Sequence, residues 1–277
     1  MKFSILIPTW NNLPFLKICI NSIRKNSIVD HQIIVHVNEG TDGTTEWLKS
    51  ESILFSYSAQ NIGVCKALNN AFQHSTEDYI VFMNDDMYAL PNWDVYLIEA
   101  INKQPSHLFY LSSTMIEPKL SGNNCVLAPY DFGTSPSSFN ENKLLESAPQ
   151  ISFHDWYGST WPPSLVHREL WKKVGGYSEE FSPGLYSDPD FSMKLWNEGV
   201  RTFIGISGSR VYHFMSKSTG RSTMNNGRRQ FAKKWGMTAS FFKKRYLKIG
   251  EKYNGEKLSG NVNVFLLLLQ KFKTMCM

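Results

Sequence analysis

Apolar residues over the first hundred positions come in short runs that alternate with stretches of helical spacing. Phe3–Pro8 is an apolar run closed by proline and reads as a buried strand. Asn11 and Asn12 then offer a helix cap, and Pro14 suits a first turn. Phe15, Ile18, Cys19 and Ile23 follow at helical spacing. Ile33–Val37 is a second strand, and the Thr41–Thr44 turn leads into a short helix carrying Trp47 and Leu48. Leu54–Tyr57 is a third strand. The helix predicted over Asn61–Gln73 turns Val64, Leu68, Ala71 and Phe72 inward. Tyr79–Met83 is a fourth strand and Pro91–Gln104 a fourth helix.

This alternation predicts an α/β fold with a mostly parallel sheet covered by helices on both faces. Ligands of such sheets bind beyond the carboxyl ends of the strands. Thr9–Asn11, Asn38–Gly40 and Asn84–Asp86 follow strands one, two and four, so all three are expected at that edge. The second half is less regular. Ser112–Ser147 is punctuated by Pro, Gly, Ser and Asn and reads as strand and loop excursions. Arg168–Val174 and Asp188–Glu198 read as helices, the latter capped by Asp188 with Pro189 in its first turn and Gly199 at its end. Thr202–Ile206 and Arg210–Tyr212 read as closing strands, and residues 226–249 as basic helix.

Composition narrows the class. At 277 residues, 42% hydrophobic and 19% charged, the chain can bury a full core. Its net charge of +5 conceals an asymmetry: residues 1–216 hold 15 Lys+Arg against 22 Asp+Glu, and residues 217–277 hold 14 against 2. A basic tail on an acidic body points to an anionic partner such as phospholipid, a lipid-phosphate acceptor or, least supported, nucleic acid; a solvated helical face explains the same charge equally well. The apolar run Val264–Leu269 is too short to span a bilayer; with Lys271, Phe272 and Lys273 it can lie on a membrane surface or dock as a terminal helix. Cys19, Cys65, Cys125 and Cys276 form no metal or redox spacing, and Cys19 and Cys65 read as buried. With no signal-peptide pattern at the N-terminus, the expected setting is the cytoplasm, with peripheral attachment to the cytoplasmic face of a membrane as an option.

Chemistry concentrates in a few places. Asp85 and Asp86 directly follow a buried strand, where two acids are costly unless a cation sits beside them. Carboxylates are preferred ligands of Mg2+ and Mn2+, which take their remaining ligands from phosphates and water. A turn with a helix cap explains the same residues without a ligand. Asn38 and Glu39, then Asn61 and Gly63 with Lys66, are placed to meet a base, ribose or phosphate, although a lysine on a helix surface is common. Asp188 reads either as a cap or as a general base, and His213 either as a metal ligand or as a satisfied core histidine. Trp156, Tyr157, Trp161 and Trp196 are candidates for stacking on sugar, though each suits packing equally.

Together these segments resemble family 2 glycosyltransferases of the GT-A fold. The resemblance runs from Phe3 to about His213. It rests on Ser4-Ile-Leu-Ile-Pro-Thr-Trp-Asn11, Val37-Asn-Glu-Gly-Thr-Asp-Gly-Thr44 and Asn61-x-Gly-x-x-x-Ala-x-Asn69. Asn84-Asp-Asp86, Val174-Gly-Gly-Tyr177 and Asp188-x-Asp-Phe191 complete it. It implies a GT-A catalytic domain over 1–215, with a nucleotide-binding half (1–104), an acceptor half (105–215) and a basic helical extension (216–277). It also implies a nucleotide-sugar donor, UDP-sugar favoured, and a glycan or lipid-linked acceptor. By the resemblance, Pro8, Thr9, Asn11, Asn38, Glu39, Asn61, Gly63, Lys66, Asn84 and Asp85 hold the donor. Asp86, with Asp85 and His213, holds Mn2+ or Mg2+; Asp188 is the base; and Gly158 lets the acceptor or sugar phosphate approach closely. Asn38, Asn84 and Ser187 depart from the acidic residues usual at those positions. Those departures keep a catalytically weak nucleotide-sugar-binding protein as a rival, with a nucleotidyltransferase behind it because no Gly-rich phosphate loop occurs early in the chain.

Overall fold

A computed structural model describes residues 1–216 and 225–275. Cys276 lies outside them. The first half follows the expected alternation: β1 (Phe3–Trp10), α1 (Leu13–Asn26), β2 (Gln32–Asn38), α2 (Thr44–Ser50), β3 (Leu54–Ser58), α3 (Gly63–Phe72), β4 (Tyr79–Phe82), β5 (Met87–Ala89) and α4 (Trp93–Asn102). Then come β6 (Phe109–Ile116), α5 (Glu141–Ser147), β7 (Trp156–Tyr157), β8 (Ser164–His167), α6 (Arg168–Val174), α7 (Ser187–Asn197) and β9 (Thr202–His213). Helices α8 (Gly227–Trp235), α9 (Ala239–Arg245) and α10 (Val264–Met275) follow.

Among the described residues the strands form one sheet in the order β3-β2-β1-β4-β8-β6-β9-β5, with β7 pairing β9 to the side. β3, β2, β1 and β4 are parallel. Beyond β4 the sheet is mixed: β8 runs antiparallel to β4 and β6, while β6 and β9 are parallel. The local pattern conceals β8, because it is only four residues long and follows Pro162 and Pro163. The two closing strands expected near residue 206 are one strand. Its register with β6 shifts between Ser113 and Thr114, and the Ile206 carbonyl accepts from Thr114 Oγ1 at 3.0 Å.

The period of two along the strands sorts side chains between two cores. Ile5, Ile7 and Val81 join Leu16, Cys19 and Ile20 of α1 and Trp93 and Leu97 of α4 on one face. Leu6, Ile80 and Phe82 join Leu68, Ala71 and Phe72 of α3 on the other, together with Tyr177, Phe191 and Trp196. That second core also takes in Phe231, Ala239, Phe242, Leu247 and Leu258. The C-terminal segment as far as residue 258 is therefore anchored by burial, at roughly 1.5–3 kcal/mol for each large apolar side chain.

The end of α1 nearest the ligand edge is capped from outside. Asn12 makes no side-chain cap bond; instead Asp42 accepts from the Leu13 N–H at 2.8 Å, tying the loop after β2 to α1.

Candidate active site

The parallel register brings the carboxyl ends of β1, β2 and β4 to one edge, where a cleft of about 660 Å³ opens. Pro8, Thr9 and Asn38 reach it from β1 and β2, and Asn61 and Gly63 from the start of α3. Asn84, Asp85 and Asp86 reach it from beyond β4, Asp188 from α7, and His213 from the end of β9. Ten of the residues expected from the sequence thus line one cavity.

The acidic pair is buried, Asp85 at 8% and Asp86 at 5% exposure. Thr9 Oγ1 donates to Asp85 Oδ2 at 2.7 Å, which fixes that carboxylate against the end of β1. Asp86 accepts from the Ser216 N–H at 2.8 Å, and its Oδ2 lies 3.5 Å from His213 Nε2. On the other side of the ring, His213 Nδ1 lies 2.9 Å from Glu117 Oε1. Pairing of β5 with β9 sets Met87 opposite His213, so the histidine arrives beside Asp86 through sheet register. Burial works against charge on both groups, but the pairing outweighs it. Asp86 is held below the usual carboxylate range, and His213 between two carboxylates is pushed up to about 10.

Asp188 is placed differently. The residue before α7, Tyr186, has a left-handed backbone (φ 70°) and no side-chain cap bond; Asp188 lies inside the first turn and is not the cap expected from the sequence. Burial pushes its carboxyl up to about 7; the Tyr177 hydroxyl and the Lys243 ammonium oppose this without cancelling it. Tyr177 is fully packed, stacked on Phe191 at 4.5 Å, and its hydroxyl has no partner of good hydrogen-bond geometry. Ser187, where the resemblance would place an acid, donates to the Gly184 carbonyl at 2.7 Å.

Other expected residues also make contacts within the protein. Asn38 is 3% exposed and its amide is engaged at both ends: Nδ2 donates to the Thr9 carbonyl, while Oδ1 accepts from the Ile62 N–H and Ser58 Oγ. It holds the loop that presents Asn61 and Gly63. Gly63 is required there, since φ is +77° and a Cβ would come within 2.7 Å of Pro183 Cα. Asn11 and Glu39 bond each other outside the cleft lining, at 3.1 Å. Lys66 is exposed on α3, 3.8 Å from Glu179, and also outside the lining. Gly158 is approached closely by Ile249, whose Cγ1 would lie 2.3 Å from an added Cβ, so the space expected for a ligand is filled by protein. Of the four candidate stacking rings, Trp161 lines the cleft; Trp156, Tyr157 and Trp196 are core.

Glu117 and Ser216 were not expected. Glu117 had a signal: an acid directly after the buried strand β6, the same pattern that drew attention to Asp85. Ser216 acts through its backbone, which no side-chain pattern reveals.

The sequence profile described as Glycosyl transferase family 2 matches residues 4–148. The chain belongs to that family. A curated relative, the uncharacterized glycosyltransferase EpsJ of Bacillus subtilis (strain 168), is 26% identical over 222 residues, covering 76% of this chain and 60% of EpsJ. Among solved structures, S. aureus TarS 1–349 in complex with UDP-GlcNAc superposes with a TM-score of 0.59 at 16% identity, covering 84% of this chain and 66% of that one. The mannosyltransferase PcManGT from Pyrobaculum calidifontis, in complex with GDP-Man and Mn2+, gives 0.57 at 18% identity, covering 87% and 67%. At these identities the structures establish the GT-A architecture. The chain spans about 60% of the length of this curated relative.

Proposed function

We propose that the chain is an inverting glycosyltransferase that moves a sugar from a nucleotide diphosphate-sugar, UDP-sugar favoured, to a hydroxyl of a glycan or lipid-linked acceptor. One observation carries this reading: the paired acids after β4 and the protonation-poised Asp188 line the same cleft. Pro8, Thr9, Asn61, Gly63 and Asn84 line that cleft and would meet the nucleotide. The solved relatives hold UDP-GlcNAc in one case and GDP-Man in another, so the preference for uracil rests on the family resemblance.

The donor set suits a divalent cation. Asp85 and Asp86 offer buried carboxylate oxygens, and His213 lies within reach of Asp86. Among the described residues no three His, Cys, Asp or Glu side chains are arranged to hold a metal by themselves. A cation bound here would therefore have to take most of its ligands from phosphate and water. Coordination by His213 would require the ring to give up the proton that Asp86 and Glu117 hold on it, and imidazole matches a transition metal better than Mg2+, which favours Mn2+. When bound, such an ion neutralises charge on a diphosphate.

Asp188 would accept the acceptor hydroxyl's proton as the hydroxyl oxygen bonds to the anomeric carbon. The bond from that carbon to the phosphate oxygen breaks, and its electron pair leaves with the nucleoside diphosphate. One displacement inverts the centre. A carboxyl raised to about 7 suits the task, because it can be ionised at neutral pH yet is basic enough to take a proton.

The test is a thermal-shift panel of UDP, GDP, ADP and CDP with and without Mn2+, followed by turnover of the donor that fits best. Stabilisation by one nucleoside diphosphate only with metal, plus transfer or donor hydrolysis, is expected. Metal-dependent binding with no hydrolysis or transfer would leave a nucleotide-sugar-binding protein.

A further inference from the structure

Helix α10 carries a face that no part of the described chain covers. Val264, Phe265, Leu268, Leu269 and Phe272 are 48–70% exposed. At about 100° per residue they fall within one arc of the helix. The opposite side is docked: Gln270 Oε1 accepts from Thr238 Oγ1 at 3.1 Å, Thr274 is buried, and α10 packs against α8. α10 is therefore held on the protein with its most apolar residues turned outward. An exposed stripe of this kind is unfavourable in water and marks an interaction surface.

Charge indicates the partner. By the same helical spacing, Lys271 and Lys273 fall at the two borders of the arc, where lysine stems can lie along an apolar surface and lift the ammonium to a charged layer. Residues 225–275 carry 12 Lys+Arg against 2 Asp+Glu. Arg228, Arg229 and Lys233 of α8 and Lys244 and Arg245 of α9 are exposed on the helices beside α10. Lys234, turned inward to Glu180 and Asp190, is not among these free charges. A second copy of this chain would bring two strongly cationic segments together, which charge repulsion opposes. An anionic bilayer satisfies both features: an apolar arc that enters the acyl boundary and a basic collar that meets the headgroups. No helix among the described residues is long and apolar enough to cross a membrane, so the contact is interfacial.

We propose that the exposed face of α10 docks the protein on an anionic lipid bilayer, lying in the interface with Phe265, Leu268 and Phe272 inserted. This inference does not depend on the transfer chemistry above, because its readout needs no donor or acceptor.

The test is co-sedimentation of the full chain with phosphatidylcholine vesicles, with and without about 30% phosphatidylglycerol, at low and high salt. Wild type should bind the anionic vesicles at least tenfold more tightly than the neutral ones, and less tightly as salt rises. The double variant Phe265→Ser with Phe272→Ser should lose at least tenfold on anionic vesicles, with an unchanged circular dichroism spectrum and melting temperature. Lys271→Ala with Lys273→Ala should lose affinity at low salt only. Failure of wild type to bind anionic vesicles would overturn the proposal. So would equal binding by the phenylalanine variant, which would leave only diffuse attraction by α8 and α9. A dimer in sedimentation equilibrium that the phenylalanine variant abolishes would assign the face to a second copy instead.

Discussion

Asp86 and Asp188 line the same cleft, yet their surroundings push them in opposite directions. Asp86 is more buried, and burial alone would favour its neutral form; the Ser216 N–H and the His213 ring reverse that and hold it ionised. Asp188 is half-buried, and among the described residues the Tyr177 hydroxyl and the Lys243 ammonium do not offset its burial. Depth is thus a poor guide to charge in this site, and partners decide it. On the reading proposed above, Asp86 would keep negative charge for a cation and diphosphate, and Asp188 would serve as a proton acceptor near neutrality.

The largest effect that would break this contrast is at Asp188. Asp188→Asn keeps the shape and removes the base, so kcat at saturating Mn2+ should fall by about 10²–10⁴ with little change in donor KM. Near wild-type turnover would remove Asp188 from that role. At the other end, Asp86→Asn should lower transfer by about 10²–10³ and blunt its response to added Mn2+. Full retention of metal dependence would show that the cation is held elsewhere. Glu117→Gln leaves the cleft-lining carboxylates in place but takes a charge from behind His213. The Mn2+ concentration giving half-maximal activity should rise by about 10–100-fold, as for other residues that orient a metal ligand.

Two smaller effects sharpen the Asp188 side. If Asp188 is the base, its ionised form does the work, and kcat should fall about tenfold per pH unit below the Asp188 value and level off above it. The inflection should sit near pH 7 and vanish in Asp188→Asn. Stability responds in the opposite sense. The folded carboxyl binds its proton more tightly than the unfolded chain does, so its destabilising effect is absent in acid below the unfolded value of about 3.9. That effect grows as pH rises and is complete above about 7. By differential scanning fluorimetry, Asp188→Asn should melt about 2 °C or more above wild type at about pH 8. The two proteins should converge near the unfolded value.

Much of this was legible along the chain. The β1 to α4 alternation and the position of the acids after β4 follow from local apolar spacing, because a parallel sheet covered on both faces needs strands that are apolar throughout. Less legible was everything set by partners distant in sequence. Asn38 does line the cleft, but that its amide is engaged at both ends by Thr9 and Ile62 could not be read from the sequence. Gly158 looked like an opening until Ile249 was found against it. Trp156 and Trp196 looked like Trp161, and only burial separates them.

The sequence by itself determined the family, the strand–helix order and which carboxylates deserved scrutiny, since each depends on spacing within a few residues. Tertiary structure alone decided that β8 enters antiparallel, that His213 sits between Asp86 and Glu117, and that α10 turns its phenylalanines outward. These depend on sheet register and on which face of a helix finds a neighbour. Both are settled by contacts between segments tens of residues apart, which no local pattern encodes.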